Sequence, residues 1–192
     1  MRLFVGLGNP GSKYAGTRHN AGFWFVERVA AQLGVELRAA RRFHGAIGRY
    51  RAGGLDLHLL CPDTYMNHSG RAVAAMARFH RIDPAAILVA HDEIDLPEGI
   101  VRLKRGGGHG GHNGLRDIIP ALGSPAFARL RIGVGHPGSS DQVIRYVLQA
   151  PGRGGRAAID ASIDAAASWA PSLAAGQWDR AQQALHTSDQ DR

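Results

Sequence analysis

The sequence predicts one α/β domain with a mixed central β-sheet flanked by helices. Short apolar runs of strand length alternate along the chain with helical apolar stripes. Gly53-Gly54, set between two alternating segments, adds an antiparallel hairpin to that pattern. The 192 residues show no linker-like change of composition and no repeat, so residues 1–186 read as one domain and 187–192 as a polar, frayed tail.

The elements follow in order. Residues 3–8 read as a buried strand. Phe23, Val26, Ala30 and Leu33 share one face of a helix over residues 21–33, which Gly34 ends. Residues 47–51 and 55–61 form the hairpin, with Pro62 stopping its second strand. From Ser69, the positions Ala72, Ala75, Met76, Phe79 and Ile82 give a helical stripe that Asp83-Pro84 terminates. Residues 87–90 and 100–104 read as strands, and residues 114–122 as a short helix with Pro120 near its end. Leu130, Ile132 and Val134 alternate with Arg129, Arg131 and Gly133, a strand with one apolar and one basic face. Helices are expected over 141–149 and 156–176.

Lysine and arginine exceed aspartate and glutamate by 23 to 16, a net charge of +7 that favours a polyanionic partner. Cys61 is the sole cysteine and ends an apolar run, which makes it a buried structural thiol and rules out an internal disulfide. No apolar stretch is long enough to span a membrane, and Met1-Arg2 leads straight into Leu3-Phe4-Val5 without a signal peptide; the expected location is the cytoplasm.

Gly6, Gly8 and Gly11 match G-x-G-x-x-G, but a dinucleotide turn must open directly into a helix, and here Pro10 and a polar, glycine-bounded segment intervene. That segment carries Asn9, Tyr14, Arg18, His19 and Asn20, more like the wall of a site. Three further polar segments fall at predicted strand ends: Thr64-Tyr65-Met66-Asn67, His91-Asp92-Glu93-Ile94-Asp95, and the glycine-rich run from Gly106 to Asn113. His19 lies off any apolar helix face and can act as a general base toward water. Asp92, at the end of a buried strand, can orient an imidazole or form a turn. Asn67 and Asn113 precede helices, where each can cap the helix or hold a substrate carbonyl. Ser69 reads as a helix cap, and no G-x-S-x-G elbow is present, which favours attack by an activated water. His109 and His112 lack the helical H-E-x-x-H spacing, so no metal and no other cofactor is expected. Two rivals stand beside the hydrolase: a non-enzymatic RNA-binding protein, and a metal-dependent hydrolase built on His91, His109, His112 and Asp92. The 13 aromatic residues lie mostly in apolar runs, unlike an RNA-stacking platform.

Five words in this order carry a resemblance: VGLGNPGSKYAGTRHNAG at 5–22, PDTYMNHSG at 62–70, VAHDEIDLPEG at 89–99, GGGHGGHNGLRDI at 106–118 and RLRIGVGHPG at 129–138. Together they resemble the bacterial-type peptidyl-tRNA hydrolase family. The resemblance implies hydrolysis of the ester between a peptide and the 3′ ribose of tRNA, by a monomer without a metal or an obligate protein partner. It places the catalytic pair at His19 and Asp92, and substrate-binding residues at Asn9, Tyr14, Met66, Asn67 and Asn113. It places tRNA-facing cations at Lys104 and Arg131, the latter across a one-residue shortening near Ser124-Pro125. His68 departs from the family pattern, which has an apolar residue there.

Overall fold

The computed structural model describes residues 1–187. Its strands are β1 (Leu3–Gly6), β2 (Arg38–Ala40), β3 (Gly45–Ala52), β4 (Leu55–Pro62), β5 (Ile87–Glu93), β6 (Val101–Arg105) and β7 (Ala128–Gly133). They form one sheet in the order β2-β3-β4-β1-β5-β7-β6. β4, β1, β5 and β7 run parallel at the centre, while β2, β3 and β6 pair antiparallel toward the edges. The helices are α1 (Ser12–Ala15), α2 (Ala21–Gln32), α3 (Ser69–His80), α4 (Asn113–Leu122), α5 (Val143–Val147), α6 (Arg153–Ser168), α7 (Ala170–Ala174) and α8 (Trp178–Thr187).

Two cores, one on each face of the sheet, explain the sequence pattern. Phe4, Leu57, Leu59, Leu88, Leu130 and Ile132 pack with α2, α6, α7 and α8. Leu3, Val5, Leu60, Ile87 and Val89 pack on the other face with α3 and α4. Both sides of β1 and β5 are therefore buried, and continuous apolar runs replace alternation there.

Several expected boundaries move. The first strand ends at Gly6, because Leu7 N–H bonds to Ala90 O and Gly8 then backs onto the Phe23 ring. β5 continues through His91-Asp92-Glu93, since these polar residues still pair with Arg131, Ile132 and Gly133 of β7. Phe79, expected inside the α3 stripe, is 49% exposed, whereas Val73 is fully buried. The expected helix over 141–149 is α5 alone, preceded by a 3-10 turn. That over 156–176 divides at Trp169, after which Pro171 sits in the first turn of α7. β2, a three-residue basic strand, and α8 were not anticipated. Thr187, first residue of the expected frayed tail, closes α8; residues 188–192 lie outside the described residues.

Candidate active site

The polar segments meet where the central parallel strands end, as open α/β sheets arrange their sites. Glycine sets the spacing. A Cβ on Gly6 would lie 2.2 Å from Gly22 O, and one on Gly22 would lie 2.3 Å from both Ala90 O and Leu7 N. The start of α2 can press against β1 and β5 only because both positions lack a side chain, and this brings the Arg18–Asn20 turn over the end of β5. Asn20 fastens the loop: its Oδ1 accepts Asn9 N–H at 2.9 Å and its Nδ2 donates to Asn9 O at 3.0 Å. Asn9 Oδ1 in turn accepts Met66 N–H at 2.8 Å, which leaves Nδ2 as the donor Asn9 can offer a ligand.

Asp92, 4% exposed, is the hub. His19 Nδ1 lies 2.9 and 3.0 Å from its two carboxylate oxygens, and His112 Nε2 lies 2.9 Å from Oδ1. The carboxylate only accepts, so both rings carry a proton on the nitrogen facing it. His112 Nδ1 accepts the Gly114 and Leu115 N–H groups at 3.1 and 3.4 Å, which ties that nitrogen to the start of α4. His19 has no such second tie; its Nε2 is the basic nitrogen left for a substrate water. Burial pushes the His19 imidazole down, but the charge of Asp92 and the hydrogen bond to it outweigh burial and hold it above its ordinary value. Burial pushes the Asp92 carboxyl up; the two histidines reverse this and keep it far below the carboxylate range. His91 donates through Nδ1 to Asp92 O at 2.8 Å, and burial followed by His112 lowers it to about 3, which keeps it neutral.

Beside the pair opens a cavity of about 770 Å³. Its lining is polar at Asn9, Asn67, Asn113 and Arg116 and apolar at Ile94, Val143, Ile144, Val147 and Leu148. Met66 lines the floor beside His19 and Asp92. Neither asparagine caps its helix. His112 is the cap of α4, and at the start of α3 Asp117 rather than Asn67 accepts Gly70 N–H, so the Asn67 and Asn113 amides remain available to a ligand. Ser69 is not a cap either; its buried hydroxyl donates to Met66 O at 2.8 Å. Tyr14 does not line the cavity: its ring meets that of Tyr65, which does, edge-on at 6.4 Å. Lys104 is exposed on β6 and Arg131 donates to Glu93 at 2.8 Å, both outside the cavity lining. The basic face of β7 is only partly a surface, because Arg129 is 4% exposed and donates to Gly107 O and Gly108 O, clasping the glycine run. Cys61 is buried, and burial pushes its thiol up, as a structural thiol requires.

Of the four residues of the metal-hydrolase rival, His91, His112 and Asp92 do meet, the two rings 4.9 Å apart, but His91 presents its Nδ1 to the backbone of Asp92 and His109 is tied within its own loop, where its Nδ1 accepts Gly111 N–H. The cluster with ligand atoms within 4.8 Å of one another is His19, Asp92 and His112, and their contacts are the hydrogen bonds just described. Sequence reasoning missed His112 as a second partner of Asp92, although a histidine before a helical run can serve as a cap. It also missed Arg116 and the apolar lining from α5, and it placed Tyr65 in a site segment without giving it a role.

The family model described as peptidyl-tRNA hydrolase matches residues 3–192. A protein of that name from Halorhodospira halophila is 60% identical over 186 residues, covering 97% of this chain and 96% of its own. One from Pseudomonas fluorescens is 55% identical over 188 residues, covering 97% of each chain. The crystal structure of peptidyl-tRNA hydrolase from Acinetobacter baumannii superposes with a TM-score of 0.93 at 51% identity, over 96% of this chain and 94% of that one. With its sheet, its site loops and nearly its whole length shared with these proteins, the chain belongs to the peptidyl-tRNA hydrolase family.

Proposed function

We propose that the protein hydrolyses the ester between the peptide and the 3′ ribose of peptidyl-tRNA, with His19 as general base and Asp92 as its partner. The observation that carries this is the His19 ring, held by Asp92 through Nδ1 and left with a basic Nε2 beside a cavity walled by three asparagines. Water gives a proton to Nε2 as its oxygen attacks the ester carbonyl. Asp92 stabilises the resulting imidazolium. The Asn67 or Asn113 amide donates to the developing oxyanion, and Asn9 Nδ2 helps fix the substrate. Collapse of the tetrahedral intermediate breaks the bond to the ribose 3′ oxygen, which takes the proton back from His19. Free tRNA and the peptide's carboxylic acid leave, the acid giving its proton to solvent, and the base is restored.

Lys104 and Arg131 are assigned to tRNA phosphates, and Tyr14 to supporting Tyr65 at the cavity mouth. Charge supports the first assignment, since both lie on the sheet near the site and the chain is +7 overall. Action as a cytoplasmic monomer is part of the same proposal. No helix among the described residues is long and apolar enough to cross a membrane. The test is release of peptide from N-acetyl-aminoacyl-tRNA, beside unblocked aminoacyl-tRNA, with and without chelator. Hydrolysis of the blocked ester alone, unaffected by chelator, supports the reading. Binding without turnover would favour the RNA-binding rival, and chelator-sensitive turnover the metal-dependent one.

A further inference from the structure

Arg18 stands next to His19 in the chain but serves another element. Its guanidinium is almost out of solvent, the residue being 8% exposed. Nη1 donates to the carbonyls of Tyr146, Gln149 and Ala150 at 3.5, 3.3 and 3.0 Å, where α5 ends. Nη2 pairs with Glu98 at 3.5 Å, and Arg18 N–H donates to Gln149 O at 3.1 Å. The guanidinium also lies 4.0 Å over the Tyr146 ring, whose hydroxyl donates to Val134 O at 2.7 Å. This is the set of partners that the orphan carbonyls at a helix end require.

α5 needs such an anchor. It has five residues, too few to hold a helix by their own hydrogen bonds, and the segment leading to it turns through Gly135 and Gly138 at φ 76° and 96°. Yet it supplies the apolar wall of the cavity through Val143, Ile144, Val147 and Leu148. Ile144 is 69% exposed and Leu148 38%, so these side chains face the cavity with little cover from the rest of the chain. An apolar surface in the same cavity as the catalytic pair suits the apolar side chains of a bound peptide.

We propose that Arg18 is a positioning residue for substrate selection: it pins α5 so that Ile144 and Leu148 grip the peptide portion of the substrate while His19 attacks its ester. This rests on the peptidyl-tRNA hydrolase reading above. The chain thereby ties the neighbour of its base to the wall that the peptide leans on, and the wall and the base share one anchor.

The experiment compares two tRNA esters, one carrying N-acetylglycine and the other an N-acetylated trileucine, by KM and kcat at several pH values. In Arg18→Gln the KM for the trileucyl ester, relative to that for the acetylglycyl ester, rises by roughly tenfold or more, the scale of one apolar contact in a pocket. Arg18→Lys recovers part of the ratio, since an ammonium can reach carbonyls but cannot fork or stack. Ile144→Ser with Leu148→Ser gives the same selective rise, and adding Arg18→Gln to that pair raises the ratio little further, because both act through one wall. An unchanged KM ratio in Arg18→Gln, or losses that add in full, overturns the proposal. Should Arg18→Gln not fold, the exposed serine pair decides: an unchanged ratio there overturns it equally. If the unaltered protein cleaves neither ester, the hydrolase reading itself fails, a result distinct from cleavage of both without selectivity in the variants.

Discussion

Replacing Asp92 with asparagine removes the charge opposite His19 and keeps the shape. In the protein the carboxylate oxygens lie 2.9 and 3.0 Å from His19 Nδ1. Taking the charge centres as about 4 Å apart at an effective dielectric near 20, the attraction to an imidazolium is about 4 kcal/mol. Losing it in the transition state slows kcat by up to about 10³-fold. The same charge also keeps the His19 imidazole above its ordinary value against the downward push of burial. Without it burial dominates, and His19 becomes neutral at lower pH. The acid limb of the kcat profile, which rises with pH as His19 loses its proton, therefore moves to lower pH in Asp92→Asn. The defect is largest on the alkaline plateau and narrows toward acid, where the unaltered protein has already protonated its base. The assay is single-turnover release of peptide from N-acetyl-aminoacyl-tRNA across pH, with tRNA affinity measured alongside. An unmoved acid limb, or affinity falling in parallel with rate, would refute the assignment of Asp92 to His19.

Further outcomes are expected. His19→Ala keeps the fold and lowers turnover by roughly 10²-fold or more, the contribution of a general base; near-normal single-turnover rates would remove His19 from the mechanism. Lys104→Ala makes the dependence of log affinity for tRNA on log salt shallower by roughly 0.7 to 0.9, with saturating turnover little changed. Arg131→Ala does so by less, because Glu93 already holds the guanidinium at 2.8 Å. Unchanged slopes with a collapsed kcat would place both residues in the chemistry instead. Asp117→Ala removes the carboxylate that accepts Gly70 N–H at 2.7 Å at the start of α3. It costs about 1 kcal/mol, or roughly 2 to 4 °C in Tm, by thermal unfolding.

His19 and Asp92 were legible because each breaks a local pattern. A histidine in a glycine-bounded polar loop has no core to fill, and a carboxylate at the end of an apolar strand is carried to a crevice. Asn9 was legible as a site residue, but its anchoring of Met66 was not, for the two lie 57 positions apart and meet only once the sheet forms. His112 stayed hidden because its two roles, cap and carboxylate partner, depend on where α4 starts relative to β5. Arg129 read as surface because alternation marks it as polar, whereas the carbonyls that bury it belong to the glycine run. The break at Trp169 escaped because an alanine-rich stripe continues smoothly through it, and α8 because only Trp178, Ala181 and Leu185 of its mostly polar run are buried. Ile144 and Leu148 fell within an expected helix with no face assigned to it; only the fold shows that they line a cavity.

The backbone contact between Gly6 and Gly22 has a consequence for how this site can be altered. At 2.2 Å from a carbonyl oxygen, a new Cβ at residue 6 has no rotamer to escape into, so even alanine must drive the start of α2 away from β1. The displacement carries the turn bearing His19 with it, away from an aspartate fixed on β5. The reach of base to acid is thus written in main chain and is closed to gradual adjustment by side-chain substitution. The apolar lining of the cavity, where exposed Ile144 and Leu148 sit on and just after a five-residue helix, is open to it. A library meant to redirect which peptides are released can vary Val143, Ile144 and Leu148 freely, and should leave both glycines untouched.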